Sequence, residues 1–143
     1  MRRLKYSRAT ALAHPMAEMM TEGLERLGLQ HYDLLVPIPI HWSRRCQRGF
    51  NQSELLAEYL PRTCKSALFR VKRTKPQARL SREERMHNLA GAFRANRSVV
   101  EGKSILLVDD VLTSGQTARE CAKALADAGA TDIAVLAFAG EGF

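Results

Sequence analysis

Apolar residues along this chain recur with two different periods, and the switches between them mark out its elements. Pro15 stands where a helix would begin, and Met16, Met19, Met20, Leu24 and Leu27 then fall on one helical face that Gly28 closes. Asp33-Leu-Leu-Val-Pro37 is a short apolar run between turn formers, the pattern of a strand buried on both faces of a parallel sheet, with Pro37 and Pro39 ending it. After a polar loop over 41–49, Asn51 and Glu54 have the spacing of a helix cap with a partner acid, which predicts a helix from Gln52 to about Leu60. Residues 67–71 and 92–95 read as two weaker extended pieces.

The C-terminal third is patterned more sharply. Residues 104–109 form a continuous apolar run ending in acid, followed by a short Thr/Ser/Gly loop. Ala118, Cys121, Ala122, Leu125 and Ala126 then lie at i, i+3, i+4, i+7 and i+8, one face of a helix that Gly129 closes. A last apolar strand over 133–138 completes a strand, helix, strand succession with short connections, which predicts a right-handed βαβ unit. The expected fold class is α/β, a parallel sheet with helices on both faces. At 143 residues the chain suits one domain over 1–143, with its core at about 30–140 and an arm at about 72–90.

Composition narrows the classes. Apolar residues make up 45% and charged residues 26%, which excludes a disordered chain. The basic N-terminus MRRLKYSR is not followed by an apolar stretch long enough for a signal peptide or a membrane span, so a cytoplasmic protein without a membrane partner is expected. Cys46, Cys64 and Cys121 are odd in number and lack CxxC spacing, arguing against a disulfide framework or a zinc site. The net charge of +7 favours polyanionic partners, without separating nucleic acid from a small, multiply phosphorylated substrate. Between Arg62 and Arg85 lie nine Lys or Arg and only two acids, Glu83 and Glu84, the composition of a mobile basic arm.

The candidate chemistry sits in Ile105-Leu-Leu-Val-Asp-Asp-Val-Leu-Thr-Ser-Gly-Gln-Thr117. Four apolar residues carry a strand through the core and deliver Asp109 and Asp110 at its carboxyl end, where open parallel sheets bind ligands. Thr113, Ser114, Gly115, Gln116 and Thr117 form a small-residue turn into a helix, whose free N–H groups and dipole favour a phosphate. Carboxylates beside such a cradle would repel a bare phosphate but suit a sugar phosphate, whose hydroxyls they accept directly or through a divalent cation. An isolated Asp pair would be read as a polar strand end, and it is the attached turn that reverses this. Gly102-Lys103-Ser104 is no P-loop, because the position five before Gly102 is Arg97 and a strand follows.

This stretch resembles the phosphoribosyl pyrophosphate signature of type I phosphoribosyltransferases. The resemblance narrows to the ComF/GntX family through Val36-Pro-Ile-Pro39 with His41, Arg48-Gly-Phe-Asn-Gln52, Thr74 and Gln77, Arg85 and Asn88, and Gly91-Ala-Phe93, in that family's order from about Lys5 to Ala139. It implies that Asp109 and Asp110 hold the ribose hydroxyls and, directly or indirectly, Mg²⁺, and that the turn from Thr113 to Thr117 holds the 5′-phosphate. The loop from Ile38 and Pro39 onward, with Arg44, Arg45 and Arg48, would face the pyrophosphate; for Arg44 and Arg45 a solvated basic loop is the equal alternative. The arm would be the flexible loop that closes over the site, with Arg85 a catalytic candidate and Asn88 a substrate-binding one. His41 and His87 lack an identifiable partner and are assigned no role, and Trp42 is left between base stacking and packing. Members of the family often carry an N-terminal cysteine-rich zinc module; with no cysteine before His31, this chain is expected to be the transferase part alone.

Two functions follow from the resemblance. In the first, pyrophosphate leaves the ribose C1 and a nitrogenous acceptor replaces it, with positioning, Mg²⁺ and carboxylates supplying the catalysis. In the second, the pocket binds phosphoribosyl pyrophosphate or a nucleotide without chemistry, and the arm binds single-stranded DNA or a competence helicase. The acceptor has no transferable motif. A homodimer stays open, since the methionine-rich first helix suits an interface as well as a core.

Overall fold

A computed structural model describes residues 2–40, 45–46, 49–72 and 89–140, with side chains from position 11 onward. Its elements are α1 (Arg2–Arg26), β1 (Leu34–Pro37), α2 (Gln52–Tyr59), β2 (Leu68–Arg70), β3 (Phe93–Ala95), α3 (Arg97–Val100), β4 (Ser104–Leu112), α4 (Gln116–Asp127) and β5 (Asp132–Gly140). β1, β4 and β5 form a parallel sheet in the order β1-β4-β5. The two weaker extended pieces do not join it: β2 and β3 pair antiparallel with each other, Leu68 opposite Ala95 and Arg70 opposite Phe93.

Side-chain alternation along β4 divides the core into two layers. Ile105 and Leu107 pack with Val36, Leu68, Phe93 and the Ala118, Cys121 and Leu125 face of α4. Leu106 and Val108 pack with Leu35, Leu136, α1, the Leu56 and Ala57 face of α2 and Leu60 just past its end. The expected α/β arrangement, a parallel sheet covered by helices on both faces, is therefore present. At its lower edge Asp33 and Ser104 bond reciprocally, and the Ser104 N–H donor holds the Asp33 carboxyl below its usual range.

The first helix departs from expectation. It starts at Arg2, and Pro15 lies inside it, where a proline removes one i to i−4 hydrogen bond. Its buried face is Ala13, Ala17, Met20 and Leu24, whereas Met19 is 63% and Leu27 68% exposed. Tertiary burial of two alanines on either side of Pro15 outweighs the local preference of proline for a first turn. Gly28 ends the helix as expected, at φ 67°. On α4, Ala126 is exposed, off the expected apolar face, while Ala128, beyond the helix end, packs into that layer.

β4 also runs three residues further than expected, through both aspartates to Leu112, paired in register with β5 as far as Gly140. Backbone pairing is indifferent to side-chain charge where the side chains can still reach solvent or a donor. Among the described residues no helix is long and apolar enough to cross a membrane.

Candidate phosphoribose site

The site assembles at the carboxyl ends of β1 and β4. Ile38, just past β1, donates its N–H to the Val108 carbonyl at 3.0 Å, so the first loop is tied to the strand carrying the aspartates. Asn51, only 1% exposed, holds that loop from the other side: its amide donates to the Ile38 carbonyl at 3.0 Å and its Oδ1 accepts the Ser53 N–H at 3.2 Å, capping α2. The cap is as expected, but the partner acid is not. Glu54 instead pairs with Arg45, with Nη1 to Oε1 at 3.0 Å, because an ion pair competes better for a partly exposed carboxylate than the cap N–H does.

Asp109 and Asp110, consecutive on a strand, project to opposite faces. Asp109 Oδ1 accepts the Ser53 hydroxyl at 3.0 Å and the Asp110 N–H at 2.9 Å; Asp110 Oδ1 accepts the Val111 N–H at 2.9 Å. Burial, and then the neighbouring Asp110 charge, push the Asp109 carboxyl up to about 7, against the opposing pull of the Ser53 and Asp110 donors. Cys121 lies close behind it, its thiol raised first by burial and then by the Asp109 charge.

The turn is shorter than expected. Thr113 and Ser114 are exposed, Gly115 is the N-cap of α4 at φ 69°, and Gln116 and Thr117 already belong to the helix. No side chain caps α4, so N–H groups of its first turn are open to a ligand. A Cβ on Gly115 would meet nothing within 4 Å, which leaves the left-handed backbone, and not crowding, as the reason for glycine. Glu120, one turn on, accepts from Gln116 Nε2 at 3.5 Å and from the Gly91 N–H at 3.3 Å, joining the cradle to the base of the β2–β3 pair.

The structure thus brings Ile38, Pro39, Asp109, Asp110 and residues 113–117 to one end of the sheet. Arg44, Arg48, Arg85 and Asn88, like His41, Trp42 and His87 and most of the basic arm, lie outside the described residues. Ser53 and Glu120 were missed. Ser53 adjoins the RGFNQ match and bears a hydroxyl two residues from a cap, but its bond to a residue 56 positions away has no local signature.

A family model for the phosphoribosyl transferase domain matches residues 47–142. The chain belongs to that family. As such a domain it is 36% identical over 141 residues to the DNA utilization protein YhgH of Escherichia coli (strain K12), covering 92% of this chain and 62% of that protein. Competence protein F of Haemophilus influenzae is 34% identical over 110 residues, or 72% of this chain and 48% of that protein. Competence protein ComFC of Bacillus subtilis (strain 168) is 38% identical over 96 residues, or 67% and 39%. The ComF relationship expected from the motifs is borne out, and the chain spans less than two thirds of the length of each of these relatives. In solved structures, the phosphoribosyl transferase domain superposes on an allosteric regulatory enzyme of purine biosynthesis at TM-score 0.55 and 25% identity. A glutamine phosphoribosylpyrophosphate amidotransferase from B. subtilis, complexed with ADP and GMP, superposes at TM-score 0.55 and 22% identity. Each match covers 87% of this chain and 26% of the other.

Proposed function

We propose that the domain binds phosphoribosyl pyrophosphate with Mg²⁺ and transfers phosphoribose to or from a nitrogenous acceptor. The observation that carries this reading is the uncapped N-terminus of α4, entered through Gly115 at φ 69° within six residues of Asp109: an anion cradle and a pair of hydroxyl-accepting carboxylates on one continuous segment. Open first-turn N–H groups of α4 take the 5′-phosphate, Asp109 and Asp110 take the ribose hydroxyls, and the loop at Ile38 and Pro39 meets the pyrophosphate.

No group of three His, Cys, Asp or Glu side chains able to hold a metal occurs among the described residues, and the two aspartates face opposite ways. The donors therefore suit an ion shared with substrate oxygens and water, as Mg²⁺ prefers, and not a protein cage. Bound there, Mg²⁺ supplies neutralisation of the departing pyrophosphate. Asp109 and Asp110 would be the protein's contribution to holding it.

Thermal unfolding with Mg²⁺ and phosphoribosyl pyrophosphate, wild type against Asp109→Ala/Asp110→Ala, tests the reading. Ligand at a hundred times its Kd adds about 2.7 kcal/mol, a rise of roughly 5–10 °C for a domain of this size. A rise confined to wild type is expected; none in either protein refutes it.

The names of the relatives, a DNA utilization protein and two competence proteins, favour a second reading in which the domain is a non-catalytic accessory of DNA uptake that binds a nucleotide, single-stranded DNA or a helicase partner. Such DNA binding should weaken steeply with salt, and a flat response removes it.

A further inference from the structure

Among the described residues the parallel sheet has one open edge. On the β1 side, residues 63–65 run beside the strand: the Leu35 N–H donates to the Thr63 carbonyl and the Lys65 N–H to the Leu35 carbonyl, each at 2.9 Å. On the other side β5 pairs with β4 alone, so nine residues, Asp132–Gly140, turn a row of N–H and C=O groups outward. Proteins usually blunt such an edge with a lysine, a proline or a bulge. From Ile133 to Gly140 there is neither charge nor proline, and the register with β4 is constant.

Beside that edge α1 carries an apolar surface that its own chain does not cover. The buried row of the helix is Ala13, Ala17, Met20 and Leu24. His14 borders this row on one side and meets Tyr59 of α2 edge-on, with ring centres 5.4 Å apart. At roughly 100° per residue, Leu12, Met16, Met19, Gly23 and Leu27 border it on the other side, away from α2. Leu12, Met19 and Leu27 are 61%, 63% and 68% exposed, and a Cβ on Gly23 would meet nothing within 4 Å. Because α2 packs on β1 and β4 while α1 packs on β5, the stripe lies on the flank nearest the open edge.

A second copy of the chain answers both surfaces at once. α1 and β5 run in opposite directions: the connection over 27–33 returns the chain into β1, and His31 Nε2 lies 3.7 Å from the Asp132 carboxylate at the start of β5. A twofold axis normal to the sheet therefore pairs β5 with its copy antiparallel and, on the same face, α1 with its copy antiparallel. Charge favours that arrangement. In sequence the first turns of α1 hold Arg2, Arg3, Lys5 and Arg8 and no acid, whereas its second half holds Glu18, Glu22 and Glu25 against Arg26. Antiparallel packing sets the basic turns of one helix against the acidic half of the other, and parallel packing would set like against like.

We propose that this flank is a dimer interface between two copies of the chain, in which the sheets join through β5 and the α1 helices pack antiparallel on the stripe from Leu12 to Leu27. None of residues 109–117 belongs to it, so the interface does not depend on the phosphoribosyltransferase reading. Sedimentation velocity of the full chain over about a hundredfold range of concentration, with hydrogen exchange of residues 132–140, tests it. Wild type should reach twice the 16.0 kDa chain mass and dissociate on dilution, its outer β5 amides then exchanging about tenfold faster or more. Leu12→Glu and Met19→Glu change exposed side chains, and far-UV circular dichroism checks that the helix stays intact. Each should raise the dissociation constant about tenfold or more by placing an unpaired carboxylate in the contact, and should speed β5 exchange to that of the dissociated protein. A wild-type chain that stays at 16.0 kDa throughout overturns the proposal; if its outer β5 amides are protected nonetheless, a segment of the same chain covers the edge. A dimer that both substitutions leave intact, or one whose β5 amides exchange as fast as those of the monomer, puts the interface elsewhere and overturns it as well.

Discussion

Two helix N-termini meet at the carboxyl end of this sheet, and they are built in opposite ways. That of α2 is closed: Asn51 satisfies the Ser53 N–H and clamps the Ile38 carbonyl, and both Asn51 and Ser53 are 1% exposed. That of α4 is open: its cap is a glycine, with no side chain to answer its donors, and Thr113 and Ser114 before it are exposed. The α2 terminus uses its hydrogen-bonding capacity on the protein and becomes scaffold; the α4 terminus leaves it without a side-chain cap, as the proposed phosphate site requires. Asp109 joins the two, bonded to Ser53 from the closed terminus and standing six residues before the open one.

The contrast can be broken most severely at the closed end. Asn51→Ala should cost about 2–4 kcal/mol, a lost cap together with an unmet buried carbonyl at Ile38, read as a lower urea midpoint at unchanged slope; a loss below about 1 kcal/mol would mean that the clamp is ornamental.

The link between the ends is sharpened by Asp109→Asn, which keeps an acceptor for Ser53 while removing the charge. The unfolded carboxyl ionises near 3.8 and the folded one near 7, so in chelator and without ligand wild-type stability should fall as pH rises across that window and level off above it. The asparagine variant should lose this slope and be the more stable of the two proteins at pH 8. Its phosphoribosyl pyrophosphate binding should nevertheless be weaker. Parallel stability curves for the two proteins from pH 4 to 8 would contradict the buried-carboxyl account.

The smallest effect on stability is expected at the open end. Gly115→Ala meets no neighbour and suffers only the left-handed backbone, about 1 kcal/mol, but the shifted turn should weaken phosphoribosyl pyrophosphate binding tenfold or more. Equal affinity in calorimetry would show that the cradle does not depend on that backbone.

Much of the architecture was legible without coordinates. The apolar runs at Leu34–Pro37 and from Ser104 onward, the α4 face at Ala118, Cys121 and Leu125, and the helix ends at Gly28 and Gly129 all followed from spacing within a few residues. The candidate site was legible in its loop, because carboxylates, a small-residue turn and a helix start are contiguous from 109 to 117. Period and turn chemistry are local properties, so one pass along the chain detects them.

Tertiary structure decided what lies across the sheet from that loop. It carried α1 through Pro15, because Ala13 and Ala17 are both buried against other elements, and drew Glu54 away from its cap to Arg45. It placed Ser53 on Asp109 and buried that carboxyl so that its pKa is raised, and it opened the cleft between β2 and the first loop. Each of these depends on burial or on a partner far along the chain, and both exist only once the layers have packed. The sequence by itself therefore determined the elements and the contiguous carboxylate, turn and helix-start segment, while the electrostatic state of that segment and the shape beside it waited on the fold.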